Sequence, residues 1–306
     1  MLETLDSKRH IISRDPNGNI DTVMACEKIA LETSAGILVP RYSLDEQSRR
    51  KEAPIKFYKS GELKSVPLQE AVEIESPAGP VKAELVTFYK SGAIRRLFPL
   101  DGKISGYWTE ENEYKLAEVI DIPTPMGTIS VKPIYIQFYE SGELESVAFW
   151  PRERTIINSP AGRTKIRKGI SFYQNGGVKS FEPAREFRAQ SPIGVLTVYD
   201  PDPNGLNAES GAIAFYENGE IQSLVTSSSQ VSIKKDGRLL KTFSPVIITS
   251  YCDESSFFVS PLKIIFEEDC LIFVSNRDSD NRFPKSLQYV ISDYKPEKPI
   301  SNIACG

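Results

Sequence analysis

One string constrains this chain more than any other. Phe-Tyr-x-[Ser/Asn]-Gly occurs five times, at Phe57–Gly61, Phe88–Gly92, Phe138–Gly142, Phe172–Gly176 and Phe215–Gly219. Each copy carries an aliphatic residue two positions after the glycine (Leu63, Ile94, Leu144, Val178, Ile221). Each also has a β-branched residue two positions before the phenylalanine (Ile55, Val86, Ile136, Ile170, Ile213). Apolar residues at alternate positions on both sides of a turn mark an antiparallel hairpin with one buried face. The residues before the glycine suit a type I turn, and the glycine supplies the positive φ of the G1 bulge that follows. Such a loop sets Tyr58 opposite Glu62 and Phe57 opposite Leu63. Ile55, Phe57 and Leu63 then share the core face, and Lys56, Tyr58, Glu62 and Lys64 the other.

Weaker copies occur at Asn17-Gly18, Asp101-Gly102 and Asp236-Gly237, and the outer two read as degenerate terminal repeats. A second turn alternates with the first: Thr33–Gly36, Ser76–Gly79, Thr124–Gly127, Ser159–Gly162 and Ser191–Gly194, four of them with proline in second place. Proline followed by glycine again favours a tight reversal. Two insertions break the metre. Tyr107–Asp121 contains TEENEYKLAE, which predicts one short helix near 109–117 with Thr109 as N-cap. Asp200–Ser210 reads as a loop, as does Asp278–Asn281. After about residue 244 strand-like runs continue, but without the repeat's register.

The expected fold is all-β: a long, twisted antiparallel meander of β-hairpin repeats followed by a smaller β-rich C-terminal region. The corresponding division is residues 1–244 and 245–306. A sheet of about a dozen strands rarely stays flat, so strong coiling is expected.

The phrases FYKSGELKS, FYESGELES and FYENGEIQS, with DGKISGYW at 101–108, resemble the bacterial variant of the MORN repeat. The resemblance covers about residues 10–242; the Gly-x-Trp half of that unit is matched once, at Gly106–Trp108. It implies an extended β-sheet scaffold or binding module, and for some bacterial members an antitoxin component acting on a partner protein.

Composition narrows the chemistry further. Thirty-seven basic against 41 acidic residues leave a net charge of −4, which offers no electrostatic footprint for nucleic acid. No apolar run approaches the roughly 18 residues of a membrane span, and the first residues lack the apolar core of a signal peptide, so a cytoplasmic location is expected. Cys26, Cys252, Cys270 and Cys305 form no CxxC pair and read as buried, reduced thiols. His10 is the only histidine, which weakens every imidazole-dependent mechanism. No GxSxG elbow, P-loop, GxGxxG after a strand or HExxH is present.

Two sets of residues remain as candidate sites. Tyr58, Tyr89, Tyr139, Tyr173 and Tyr216 should stand in a row on the less apolar face, where they could stack on an extended ligand or pack against neighbouring side-chain stems. Asp200, Asp202 and Asn204 take the first, third and fifth places of a calcium-loop pattern, but Gly211 stands where the bidentate glutamate belongs. The expected function is a non-catalytic scaffold or binding protein, without cofactor, that recognises a protein or extended ligand across the sheet. A carbohydrate-active enzyme or lectin-like binder using the tyrosine row and carboxylates is the competing expectation, and an antitoxin-like neutraliser a third.

Overall fold

The computed structural model describes residues 9–43, 49–50, 53–102, 108–203, 205, 208–249, 257–275 and 278–295. These form two compact units. The first comprises Met1–Thr155 with Phe172–Gly176, and the second Ile156–Ser171 with Gly177–Gly306. Residues 245–306 belong to the second unit together with 177–244.

In the first unit eight strands lie side by side in chain order: Arg9–Arg14, Ile20–Ala25, Ile55–Phe57, Leu63–Ser76, Gly79–Phe88, Ile94–Phe98, Pro133–Phe138 and Leu144–Phe149. All the pairings are antiparallel, as a meander requires. The hairpins close as the repeat dictates. Phe57 faces Leu63, Phe88 faces Ile94 and Phe138 faces Leu144, each with a bulge beside the pair. Gly61 N donates to the Tyr58 carbonyl at 2.8 Å and Tyr58 N to the Glu62 carbonyl at 2.8 Å. Gly61, at φ 95°, occupies a conformation that an L-residue adopts only under strain. The repeat phenylalanines and the β-branched residues before them are buried throughout the series, from Ile55 to Phe215. Each buried phenylalanine contributes about 1.5–3 kcal/mol, and alternation holds them on one face.

The second unit has the same plan, with Gly162–Phe172 up to Ser171, Val178–Pro183, Ile213–Phe215 and Ile221–Thr226. It then adds three strands that the sequence metre does not foretell: Leu262–Phe266, Cys270–Ser275 and Asp278–Pro284. Leu262–Phe266 pairs directly with Ile221–Thr226, so the C-terminal region extends the repeat sheet. Phe266 takes the repeat's phenylalanine place and Glu267 the tyrosine's, with Glu267 N donating to the Cys270 carbonyl. Asp278–Asn281 is therefore strand rather than loop.

Three of the second turns cap separate ribbons, Leu31–Thr33 with Gly36–Leu38, Ile120–Thr124 with Gly127–Val131, and Phe187–Ser191 with Gly194–Val198, and the other two join strands of the main sheet. In all five second turns the leading Ser or Thr hydroxyl bonds the glycine carbonyl three residues on, from Thr33 to Ser191. That hydroxyl also accepts from the intervening backbone N–H, as Ser76 does from Ala78. The side chain thus supplies a turn bond of its own.

The short helix is Glu110–Leu116, capped by Thr109, whose side chain accepts from Asn112 N. Asp236-Gly237 does form a turn, but a two-residue type I′ one with both φ values positive, 51° and 77°. Asp101-Gly102 does not. Gly102 bridges Arg50 instead, and a methyl group there would lie 2.1 Å from the Glu113 carboxyl. Close approach, with no turn involved, is what this glycine permits. Cys26 is exposed and Cys270 half-buried, against the expectation of buried thiols, whereas Cys252 and Cys305 lie outside the described residues.

Candidate functional site

The repeat tyrosines are half-buried, and the structure ties down four of their hydroxyls. Tyr58 donates to the carbonyl of Phe88 at 2.8 Å, Tyr89 to Phe138 at 2.9 Å and Tyr139 to Phe172 at 2.8 Å. In the second unit Tyr216 donates to Phe266 at 2.9 Å. Each acceptor is the phenylalanine that opens the next hairpin. The last residue of one strand thereby receives a hydrogen bond that the sheet ladder does not supply. Tyr173 holds the same place in its own hairpin and is likewise half-buried. Cations lie over two of the rings: Lys64 Nζ at 5.5 Å and Lys90 Nζ at 5.8 Å above Tyr58, and the Arg95 guanidinium at 5.5 Å above Tyr89. Burial, and then the Glu145 carboxylate, push the Tyr89 phenol above its ordinary value.

A second set of contacts reaches further along the chain. Ser34 Oγ donates to the Gly92 carbonyl at 2.5 Å, although the hairpin at Gly61 intervenes. Pro77 faces Gly142, where an added methyl group would meet its Cγ at 3.6 Å. Pro125 faces Gly176 more closely, at 3.1 Å, and Pro160 faces Gly219 at 3.7 Å. In all four cases the second turn touches the Phe-Tyr hairpin after next. The proline in these turns therefore serves packing as well as reversal.

Where a second turn leans on the hairpin tips, a groove opens. In the first unit it measures ≈ 620 Å³ and lies between Ser34, Glu62 and Lys90, with Leu63 and Phe88 at its floor. In the second unit a groove of ≈ 650 Å³ lies between Pro160, Pro192, Tyr216 and Glu220, closed by Glu268 and Lys285. Both are formed by two successive hairpins and the second-turn tip that reaches them. No family model, curated protein or solved structure matches the chain. The site is therefore read from its own geometry.

Each insertion is fastened by a buried glutamate that sequence spacing gives no reason to single out. In the first unit Glu84 Oε2 accepts from Asp101 N at 2.8 Å, while Arg49 and Arg50 pair with its other oxygen. Arg49 also pairs with Glu113 of the helix at 3.1 Å, and Arg41 with Asp101 at 3.2 Å. Three arginines answer three carboxylates, so the network is neutral within itself. Burial raises the Glu113 carboxyl above its ordinary range, opposed chiefly by Arg49.

In the second unit Glu182 Oε2 accepts from Ala212 N at 2.9 Å, and Arg167 lies 3.5 Å from its other oxygen. Burial drives this carboxyl up to about 7, against the pull of Arg167 and the Ala212 N–H. Arg167 donates to the Asp200 carbonyl at 2.5 Å and Lys168 to that of Pro203 at 2.7 Å. Two cations therefore grip the backbone of the loop that carries the calcium-like pattern. Asp200 Oδ1 caps its own turn through Asp202 N at 3.0 Å, and Asn204 lies outside the described residues. Among the described residues no three His, Cys, Asp or Glu side chains could together hold a metal ion.

No helix among the described residues is long and apolar enough to cross a membrane.

Proposed function

We propose that this chain is a non-catalytic β-repeat binding protein that recognises an extended protein segment across successive hairpins. The observation that carries this reading is the recurrence of the same kind of groove in both units, built from equivalent repeat positions. A small substrate calls for one enclosed cleft with converging polar groups, whereas an extended chain is matched by repeated open ones. Of the repeat tyrosines, Tyr216 lines the second groove with its hydroxyl bound behind it, whereas the first groove is lined by Glu62, Leu63 and Lys90 and by no tyrosine. The likeness to the bacterial MORN variant favours the same class of role. The free Cys26 and Cys270 thiols fit a reducing, cytoplasmic setting.

The test is site-specific photocrosslinking in cells. A photoreactive residue replaces Lys90 in one variant and Glu220 in another, both exposed groove positions. The expected result is one shared partner protein crosslinked from both positions. Adducts from neither position, or unrelated adducts from each, would overturn the reading.

A further inference from the structure

The second unit holds another surface, built on other strands. Arg238–Phe243, Ser229–Lys235 and Gln288–Asp293 form a three-stranded sheet in which Arg238–Phe243 is an outer strand. One face is packed: Val231, Ile233 and Phe243 are buried, and Phe243 stacks on Phe273 with ring centroids 4.5 Å apart. The register pairs Lys235 with Arg238 and Lys234 with Leu239, then shifts, so that Ile233 faces Lys241 and Leu240 is the bulged residue. Among the described residues no strand pairs with the far edge of Arg238–Phe243. At that edge Leu239 and Leu240 are 61% and 51% exposed.

Open edges are normally blunted by bulges, charge or cover. Here a bulge and charge are present, yet two adjacent leucines stay in water. The charge is one-sided. Lys234, Lys235, Arg238 and Lys241 surround a single acid, Asp236, in a chain whose net charge is −4. Lys241 is engaged, donating to Asn281 Oδ1 at 3.0 Å and lying 4.9 Å over the Phe243 ring. Lys235 and Arg238 flank the turn beside the leucines and are exposed.

We infer that the outer edge of Arg238–Phe243 is a docking site for an extended acidic segment of a partner protein. The segment adds to the sheet as a further strand, sets apolar residues against Leu239 and Leu240, and places carboxylates beside Lys235 and Arg238. Main-chain bonds supply the attachment and the cations supply the selection. A second copy of this chain is a poor occupant. It carries the same cations at this edge, so self-pairing would bring like charges together, which destabilises a ladder.

The full chain is titrated with a fluorescent octapeptide alternating glutamate with valine or leucine, and with its lysine-for-glutamate counterpart. The amides of residues 238–243 are followed by hydrogen exchange. The acidic peptide is expected to bind, to weaken as salt rises, and to slow exchange in that strand; the basic peptide is not. The double variant Lys235→Glu, Arg238→Glu, altered only at exposed positions, should lose at least tenfold affinity for the acidic peptide and gain the basic one. Absence of saturable binding at about 1 mM peptide, or binding indifferent to charge reversal, would overturn the proposal. So would protection, in the free protein, of those amides of this strand that do not bond to Ser229–Lys235, which would mean that the chain covers its own edge. A dimer joined through this strand, seen by sedimentation, would also reject it. None of these outcomes depends on the groove reading.

Discussion

At the scale of single residues, Glu182 carries a pH dependence whose sign is fixed. Its carboxyl rises from the ordinary 4.5 to about 7, chiefly through burial, so folding takes up a proton between those values. An acid shifted upward contributes most to stability below its unfolded pKa, and that contribution is lost as pH rises to the folded pKa. The full span corresponds to roughly 3 kcal/mol. Urea unfolding of the native chain and Glu182→Gln at pH 5, 6, 7 and 8 isolates this group, because all other titrations are shared. The stability of the native chain relative to the variant should fall by about 2–3 kcal/mol across the series. A constant gap would mean that Glu182 is ionised throughout. Its Arg167 partner, which also holds the Asp200 carbonyl, would then outweigh burial.

At the scale of elements, the tyrosine hydroxyls are fasteners between hairpins. Tyr139→Phe removes one hydrogen bond, leaves the ring in place and strands the Phe172 carbonyl. The expected loss is about 1 kcal/mol, or a melting temperature lower by roughly 2–4 °C. An unchanged melting temperature would remove the hydroxyl from any role in joining hairpins. These elements also mark the limit of what sequence shows. Phe57 opposite Leu63 is legible because the five intervening residues determine it, and turn chemistry is local. The bond from Tyr58 to Phe88 spans 30 residues and that from Tyr89 to Phe138 spans 49, so neither has a fixed spacing to read. Both depend on how one hairpin stacks on the next. The same holds for Glu84, which lies 35 residues from Arg49 and 17 from Asp101 and meets both only in the folded chain. In the grooves, the hairpin positions, such as Leu63 and Ile221, could be named from the repeat. Ser34 and Pro160 could not, because they arrive from turns that belong to other repeats.

At the scale of the whole molecule, four hairpins are tied to the next by a hydroxyl, and four meet a turn two hairpins earlier through a proline or serine. Stability in such an array is a sum of unit and neighbour terms, here extended to second neighbours. Replacing Pro77 with Gly in the first unit should therefore speed amide exchange at Tyr139 and Gly142 roughly five- to tenfold, in a hairpin more than 60 residues downstream. Acceleration confined to the Ser76–Gly79 turn would show that the contact carries no energy. The hydroxyl links also have a direction, each donor lying ahead of its acceptor in the chain. At the first hairpin Asp15 stands in the tyrosine's place, with Asp15 N bonded to the Asn19 carbonyl as Tyr58 N is to Glu62, and at the last Glu267 does. Neither carboxylate has a phenolic proton to pass on. A duplicated hairpin inserted between them would bring its own donor and its own acceptor, so an array of this kind can lengthen by copying from within. At Asp15 and Glu267 the run of hydroxyl donors stops, through the chemistry of one side-chain position.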